Sequence, residues 1–202
     1  MPQEARVKRA IERETAWTTN VPFIKDVLLS WEPCEEPSVD PDDVLLINRV
    51  NQQKWKGLAI KQIEGKGKGV IATMTFKKNQ IVCDYHGAMI SKQEGERRLE
   101  TLNEEPLYLF FFKGKAGEPL CIDAQEYPCD CHPDQDTYGW RMNHSRRNSN
   151  VRPQRVSLNL PDGARECVVL LALRDIDVNE ELLWDYGSSF GGEGRDLSWP
   201  QI

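Results

Sequence analysis

Arg141-Met142-Asn143-His144-Ser145 and, further along, Glu181-Leu182-Leu183-Trp184-Asp185-Tyr186-Gly187 are the two stretches on which the reading of this chain turns. The first is a run of amide, imidazole and hydroxyl groups, all able to hydrogen-bond a polar ligand. The second sets two aromatic residues and an acid between Trp184 and Gly187, after which the chain loosens into glycine and serine. Upstream, Gly65-Lys66-Gly67-Lys68-Gly69-Val70 lets backbone approach a ligand closely, because glycine carries no Cβ. That string lacks the spacing of a dinucleotide fingerprint, and no Gly-Lys-Ser/Thr follows for a phosphate loop. Taken alone it is a tight turn between strands.

Working outward, residues 1–17 predict a charged amphipathic helix with Val7, Ala10 and Ile11 on one side. Residues 31–43, WEPCEEPSVDPDD, read as an acidic, proline-containing linker, and a second helix is expected from Val44 toward Trp55. From Leu58 the texture changes to short β-type runs: Leu58–Ile63, Val70–Met74, Ile81–Tyr85, Leu107–Phe112, Leu120–Asp123, Val156–Leu160, Cys167–Leu173 and Glu181–Tyr186. Ser91-Lys92-Gln93-Glu94 has capping-box spacing and should open a helix that turns Leu99 and Leu102 inward. Pro161-Asp162-Gly163 predicts a hairpin turn. Many short strands with few helices give an α+β, mainly β class and argue against a doubly wound nucleotide fold.

At 202 residues the chain fits one domain with extensions, and no apolar run approaches the ~20 residues of a membrane span. The net charge of −6 disfavours non-specific nucleic-acid binding and suits a basic peptide. The N-terminal residues alternate in charge, so no secretory signal is expected, and the six cysteines read as free thiols in a reducing compartment. Cys129-Asp130-Cys131-His132 could donate to zinc with a fourth ligand such as Cys34, but its spacing fits no common structural site and a surface loop is the preferred reading.

In order along the chain stand the glycine loop, Asp84-Tyr85-His86-Gly87, an aromatic strand, Asn143-His144-Ser145, and Glu181 through Gly187. Together these resemble the SET-domain protein lysine methyltransferases, in particular the monomethyltransferases of the histone four tail. The resemblance implies a SET fold, β-clip-like, of short curved sheets with few helices and a threaded pseudoknot segment. It divides the chain into a flank over 1–56, a catalytic domain over 57–187 and a tail over 188–202. It implies S-adenosylmethionine as cofactor, with a narrow channel joining it to a substrate lysine and no metal required. Lys66, Gly67 and Lys68 would lie along the cofactor, Asn143 and His144 would hold its adenine and amino ends, and Trp199 would cover the adenine. Leu120 falls where relatives carry an aromatic cofactor contact. Tyr186 is the phenol expected at the reacting centre and Tyr108 a channel residue bonded to the amine. Each of these taken singly has a plain alternative: a core aromatic for Tyr108, half-burial in a strand for Trp184 and Tyr186, a structural histidine for His144.

Trp184 departs from the resemblance, since SET enzymes usually carry tyrosine or phenylalanine there. The bulkier indole should crowd a dimethylated amine, which predicts monomethylation; it could equally plug the channel. The implied substrate is a basic peptide, a histone tail or nucleosome, acted on by a monomer in the nucleus at chromatin, with no membrane and no sequence-specific nucleic acid. The rivals are a cytoplasmic enzyme for a non-histone lysine, an inactive SET module that binds a chromatin peptide, and a thiol-rich zinc protein.

Overall fold

The computed structural model describes residues 3–13, 23–30, 37–101, 108–125, 132–160 and 163–186, and the chain divides into two compact units, 1–38 and 39–202. The first holds α1 (Gln3–Arg13) and α2 (Ile24–Ser30). In α1, Val7 is buried and Lys8 sits one turn before Glu12, 3.9 Å away. The helix expected over 1–17 is thus present as far as Arg13, and residues 14–17 lie outside the described residues. No pattern announced α2, a seven-residue helix.

The second unit opens with α3 (Val44–Gln52). The Asp43 carboxylate caps it by accepting from the backbone N–H of Leu45 and Leu46, satisfying two of the donors a helix start leaves open. Leu46 and Val50, one turn apart, face the core, and the helix ends at Gln53 in the left-handed region (φ 51°).

Four small sheets follow. β1 (Leu58–Ile63) and β2 (Gly67–Ala72) form an antiparallel hairpin in register from Leu58↔Ala72 to Ile63↔Gly67. Gly65, at φ 73°, makes its turn possible, so the glycine string is half turn and half strand, and the strand expected at Val70–Met74 starts and ends earlier. β3 (Ile81–Asp84), β8 (Val151–Leu160) and β9 (Gly163–Ala172) make a sheet with β9 in the middle. Val168 to Ala172 are all fully buried, which is why this segment reads as a continuous apolar run. β8 begins well before the expected Val156 because it is an edge strand and tolerates Pro153.

β4 (Ala88–Ser91), β5 (Leu109–Lys113) and β6 (Pro119–Asp123) make the third sheet, with β6 central; β4 was not expected. α4 (Lys92–Thr101) starts at Ser91, whose hydroxyl accepts from Glu94 N–H. Its buried residue is Gly95 rather than Leu99, which is half-buried; Leu102 lies outside the described residues. A Cβ at Gly95 would stand 2.8 Å from the Phe111 ring and 2.9 Å from Cys121 Sγ, so the helix backbone packs directly on the sheet. The fourth sheet is two residues wide: β7 (Asn143–His144) lies parallel to β10 (Leu183–Trp184). Of the strand expected over Glu181–Tyr186 only these two residues form ladder, with Glu181 bridging singly to Ile71.

Candidate cofactor and lysine site

The β7–β10 pair brings the two opening stretches together, and Asn150 clamps it. Its buried side chain accepts from Leu183 N–H at 2.8 Å and donates to Glu181 O at 2.8 Å and to Glu180 at 3.0 Å. Ser145 N–H donates to Trp184 O, and Asn150 N–H to Leu183 O. A two-residue ladder has little stability of its own; one amide that satisfies both directions of the backbone holds it.

Around this pair lies a box of aromatic rings. Trp184 is 5% exposed, its ring centre 4.5 Å from Tyr186, 5.5 Å from Phe110 and 6.0 Å from Tyr85. Tyr85 is 5.3 Å from Phe110, and His144 lies 5.0 Å from Tyr186. The Tyr186 hydroxyl donates to Met142 O at 2.5 Å, and Tyr186 N–H donates to His144 Nδ1, which places the ring proton on Nε2. Burial, and then the nearby Tyr108, push the Tyr186 phenol well above its ordinary range; burial does the same to Tyr85. Both remain protonated at neutral pH. Tyr108 stacks edge-on with Trp140 at 4.7 Å, and the Arg141 guanidinium lies 4.0 Å over that indole.

The polar side of the site is built on Glu181. One carboxylate oxygen accepts from Asn143 Nδ2 and the other takes Lys66 Nζ, each at 2.8 Å. Gly67 (φ 78°) and Lys68 are exposed on the same hairpin, and nothing lies within 4 Å of where a Gly67 Cβ would point. Asp84, which ends β3 next to Tyr85 and is 3% exposed, accepts from Gln53 Nε2 at 3.0 Å and Trp55 Nε1 at 2.9 Å. Asp84 also lies 3.4 Å from His86 Nδ1.

Tyr186, Trp184, Tyr108, Asn143, His144 and Lys66 therefore meet in this region or border it. Leu120 sits in β6 opposite Ser91 and Phe112, half-buried, and no described contact ties it to the Trp184 ring. Trp199 lies outside the described residues, as do Cys34, Cys129 and Cys131; His132 bonds Asn51 O at 2.8 Å and stacks on His86 at 4.9 Å. Cys83, Cys121 and Cys167 are free and buried. Tyr85, Phe110, Glu181 and Asn150 were not singled out from sequence. Tyr85 was visible as part of Tyr-His-Gly, but its place against Trp184 comes from a pairing of distant segments.

The donor set suits S-adenosylmethionine. The Trp184 Nε1 donor is buried without a partner among the described residues, Asn143 leaves its Oδ1 as an acceptor, and the space over Gly67 is open. No helix among the described residues is long and apolar enough to cross a membrane.

Comparison with known proteins agrees with the geometry. The family model "SET domain" matches residues 67–187. Histone-lysine N-methyltransferase Set8 of Drosophila melanogaster is 34% identical over 141 residues, 68% of this chain and 18% of that protein. The crystal structure of CpSET8 from Cryptosporidium is 30% identical with a TM-score of 0.55, covering 65% of this chain and 58% of that one. A structure of ctPRC2 bound to S-adenosylmethionine is 25% identical with a TM-score of 0.51, covering 69% of this chain and 16% of that one. The chain spans between 18% and 38% of the length of the Set8 and KMT5A methyltransferases it matches. The SET-domain match takes in the glycine hairpin from Gly67, β7 and β10, more than half of the sequence, and the chain belongs to the SET-domain family.

Proposed function

We propose that this chain is an S-adenosylmethionine-dependent protein lysine N-methyltransferase that adds one methyl group to a lysine of a histone-type tail. The observation that carries the reading is the Tyr186 phenol, its proton committed to Met142 O, standing among Trp184, Tyr85 and Phe110 and one strand away from Asn143, Glu181 and Lys66. Residues 57–187 carry the chemistry in this reading, with 1–56 and 188–202 as flanks.

When bound, S-adenosylmethionine supplies a methyl carbon on a positively charged sulfur. The protein must deliver an uncharged amine to it. Neutralising a lysine of pKa ≈ 10.4 at pH 7 costs about 4–5 kcal/mol in water. Aromatic walls that exclude water disfavour the charged form and offset part of that cost. Tyr186 cannot act as a base, because its phenol is held protonated and high. Its proton already points at Met142 O, so the oxygen lone pairs are what it offers an incoming N–H, and its role is orientation. Tyr108, stacked on Trp140, borders the approach. Trp184 fills the box wall closely enough to crowd an amine that already carries methyl groups.

An acidic chain of net charge −6 draws basic peptides, and the Drosophila relative is named for histone lysine. With that substrate the proposed action is in the nucleus at chromatin, and we propose that the chain acts as a monomer. The test is transfer of labelled methyl to histones, nucleosomes and cytosolic proteins, read by mass spectrometry. Monomethyl histone is the expected product. A trimethylated product overturns the Trp184 argument, label on non-histone protein alone moves the substrate, and peptide binding without transfer leaves a binding module.

A further inference from the structure

We propose that Glu181 is a positioning residue for the cofactor end of the site, fixing at once which way the Asn143 carboxamide faces and where the Lys66 ammonium stands. The inference rests on the methyltransferase reading above and deepens it.

A carboxylate only accepts hydrogen bonds, whereas an amide has one donating and one accepting end. With Glu181 Oε1 2.8 Å from the Asn143 side chain, only Nδ2 can face it, and Oδ1 is turned the other way. The second oxygen, Oε2, holds Lys66 Nζ at 2.8 Å. One carboxylate thereby sets an acceptor and a cation side by side. That is the complement of an amino-acid zwitterion, whose ammonium needs the acceptor and whose carboxylate needs the cation. The three residues come from separate places: the β1–β2 turn, β7, and the bridge from Glu181 to Ile71 of β2.

Gly69 shows how closely this is built. A Cβ there would stand 2.7 Å from Asn143 Nδ2, 2.8 Å from Ile63 Cγ1 and 3.1 Å from Glu181 Oε1. Glycine is what lets amide and carboxylate pass over the hairpin. Stability is a poor explanation for the Lys66 pair: the Lys66 side chain is 43% exposed, and ion pairs so open to water contribute little to the fold. Orientation is the better one.

Calorimetry with S-adenosylhomocysteine on the full chain tests this, with thermal unfolding and cofactor KM against kcat as companions. Glu181→Ala should weaken binding about tenfold, the scale of one lost charge-assisted contact. Its melting temperature without ligand should stay near wild type, and its cofactor KM should rise by a larger factor than its kcat falls. Glu181→Gln, which still offers an acceptor to Asn143 but not a charge to Lys66, should recover part of the affinity. In an Asn143→Ala background the Glu181→Ala change should add much less than it does alone. Wild-type affinity in both single variants overturns the inference, as does a fall in kcat with no rise in cofactor KM. If Glu181→Ala fails to fold, the shape-preserving Glu181→Gln decides, and unchanged affinity there overturns it. A wild-type chain that takes up no S-adenosylhomocysteine overturns the methyltransferase reading and this inference with it.

Discussion

At the scale of single residues, the proposed chemistry rests on Tyr186 and Trp184 in different ways. The Tyr186 hydroxyl donates to Met142 O, and in the proposed role its oxygen lone pairs face the substrate amine. Tyr186→Phe should lower kcat about a hundredfold or more, the scale for losing one pre-placed hydrogen-bonding group at a reacting centre. Stability should change by only about 1 kcal/mol; steady-state kinetics beside a denaturation curve check both. Trp184 is a wall whose own N–H is buried without a partner among the described residues. Trp184→Phe removes that donor and opens space, so the product should shift from monomethyl toward dimethyl lysine by mass, with kcat retained within about tenfold. Much of this site was legible in the order of short motifs, because Asn143, His144, Trp184 and Tyr186 are chemically distinctive and close in sequence. Glu181 was not, since an acid in a charged chain looks like surface until Lys66 and Asn143 are seen on its two oxygens. Tyr85 was hidden for a related reason: its ring meets Trp184 only after the chain has threaded past itself.

At the scale of elements, the β7–β10 crossing depends on Asn150 more than on its own two-residue ladder. Asn150→Ala leaves the Leu183 N–H buried without an acceptor and should destabilise the chain by about 2–3 kcal/mol in urea unfolding. Gly69→Ala should act locally instead. Its methyl would press on Asn143 and Glu181, so cofactor affinity should fall several-fold with a smaller effect on stability, measured by the same calorimetry. Elements with their own periodicity were readable. Leu58–Ile63 appears as expected, and the buried run around Val168–Ala172 is the central strand it promised to be. Those that exist through pairing alone were not. β4 and β7 are too short to carry a pattern, β10 keeps only two residues of the strand expected over Glu181–Tyr186, and β8 continues through Pro153 as the edge strand of its sheet. α4 misled differently: its leucines suggested the inward face, whereas Gly95 is where the helix touches the sheet.

At the scale of the whole molecule, surface carboxylates are held by arginines close to them in sequence. Glu180 is held down to about 2 by its hydrogen bond to Arg174, and Glu94 to about 2 by Arg97 and Arg98. Carboxylates lowered in this way stabilise the fold above their ordinary pKa of 4.5, and the contribution is lost as pH falls from there toward 2. Thermal midpoints should therefore drop through that window, and Glu180→Gln should make the fall shallower. The central claim concerns the whole chain as well: rings, amide and carboxylate gathered by one crossing make a site for moving a methyl group to an amine. The direct test is incubation with methyl-labelled S-adenosylmethionine and nucleosomes, followed by mass spectrometry of the histones. A single added methyl on one lysine, lost in Tyr186→Phe, is the predicted result. Cofactor uptake with no methyl on any lysine of histone or cellular protein would contradict it.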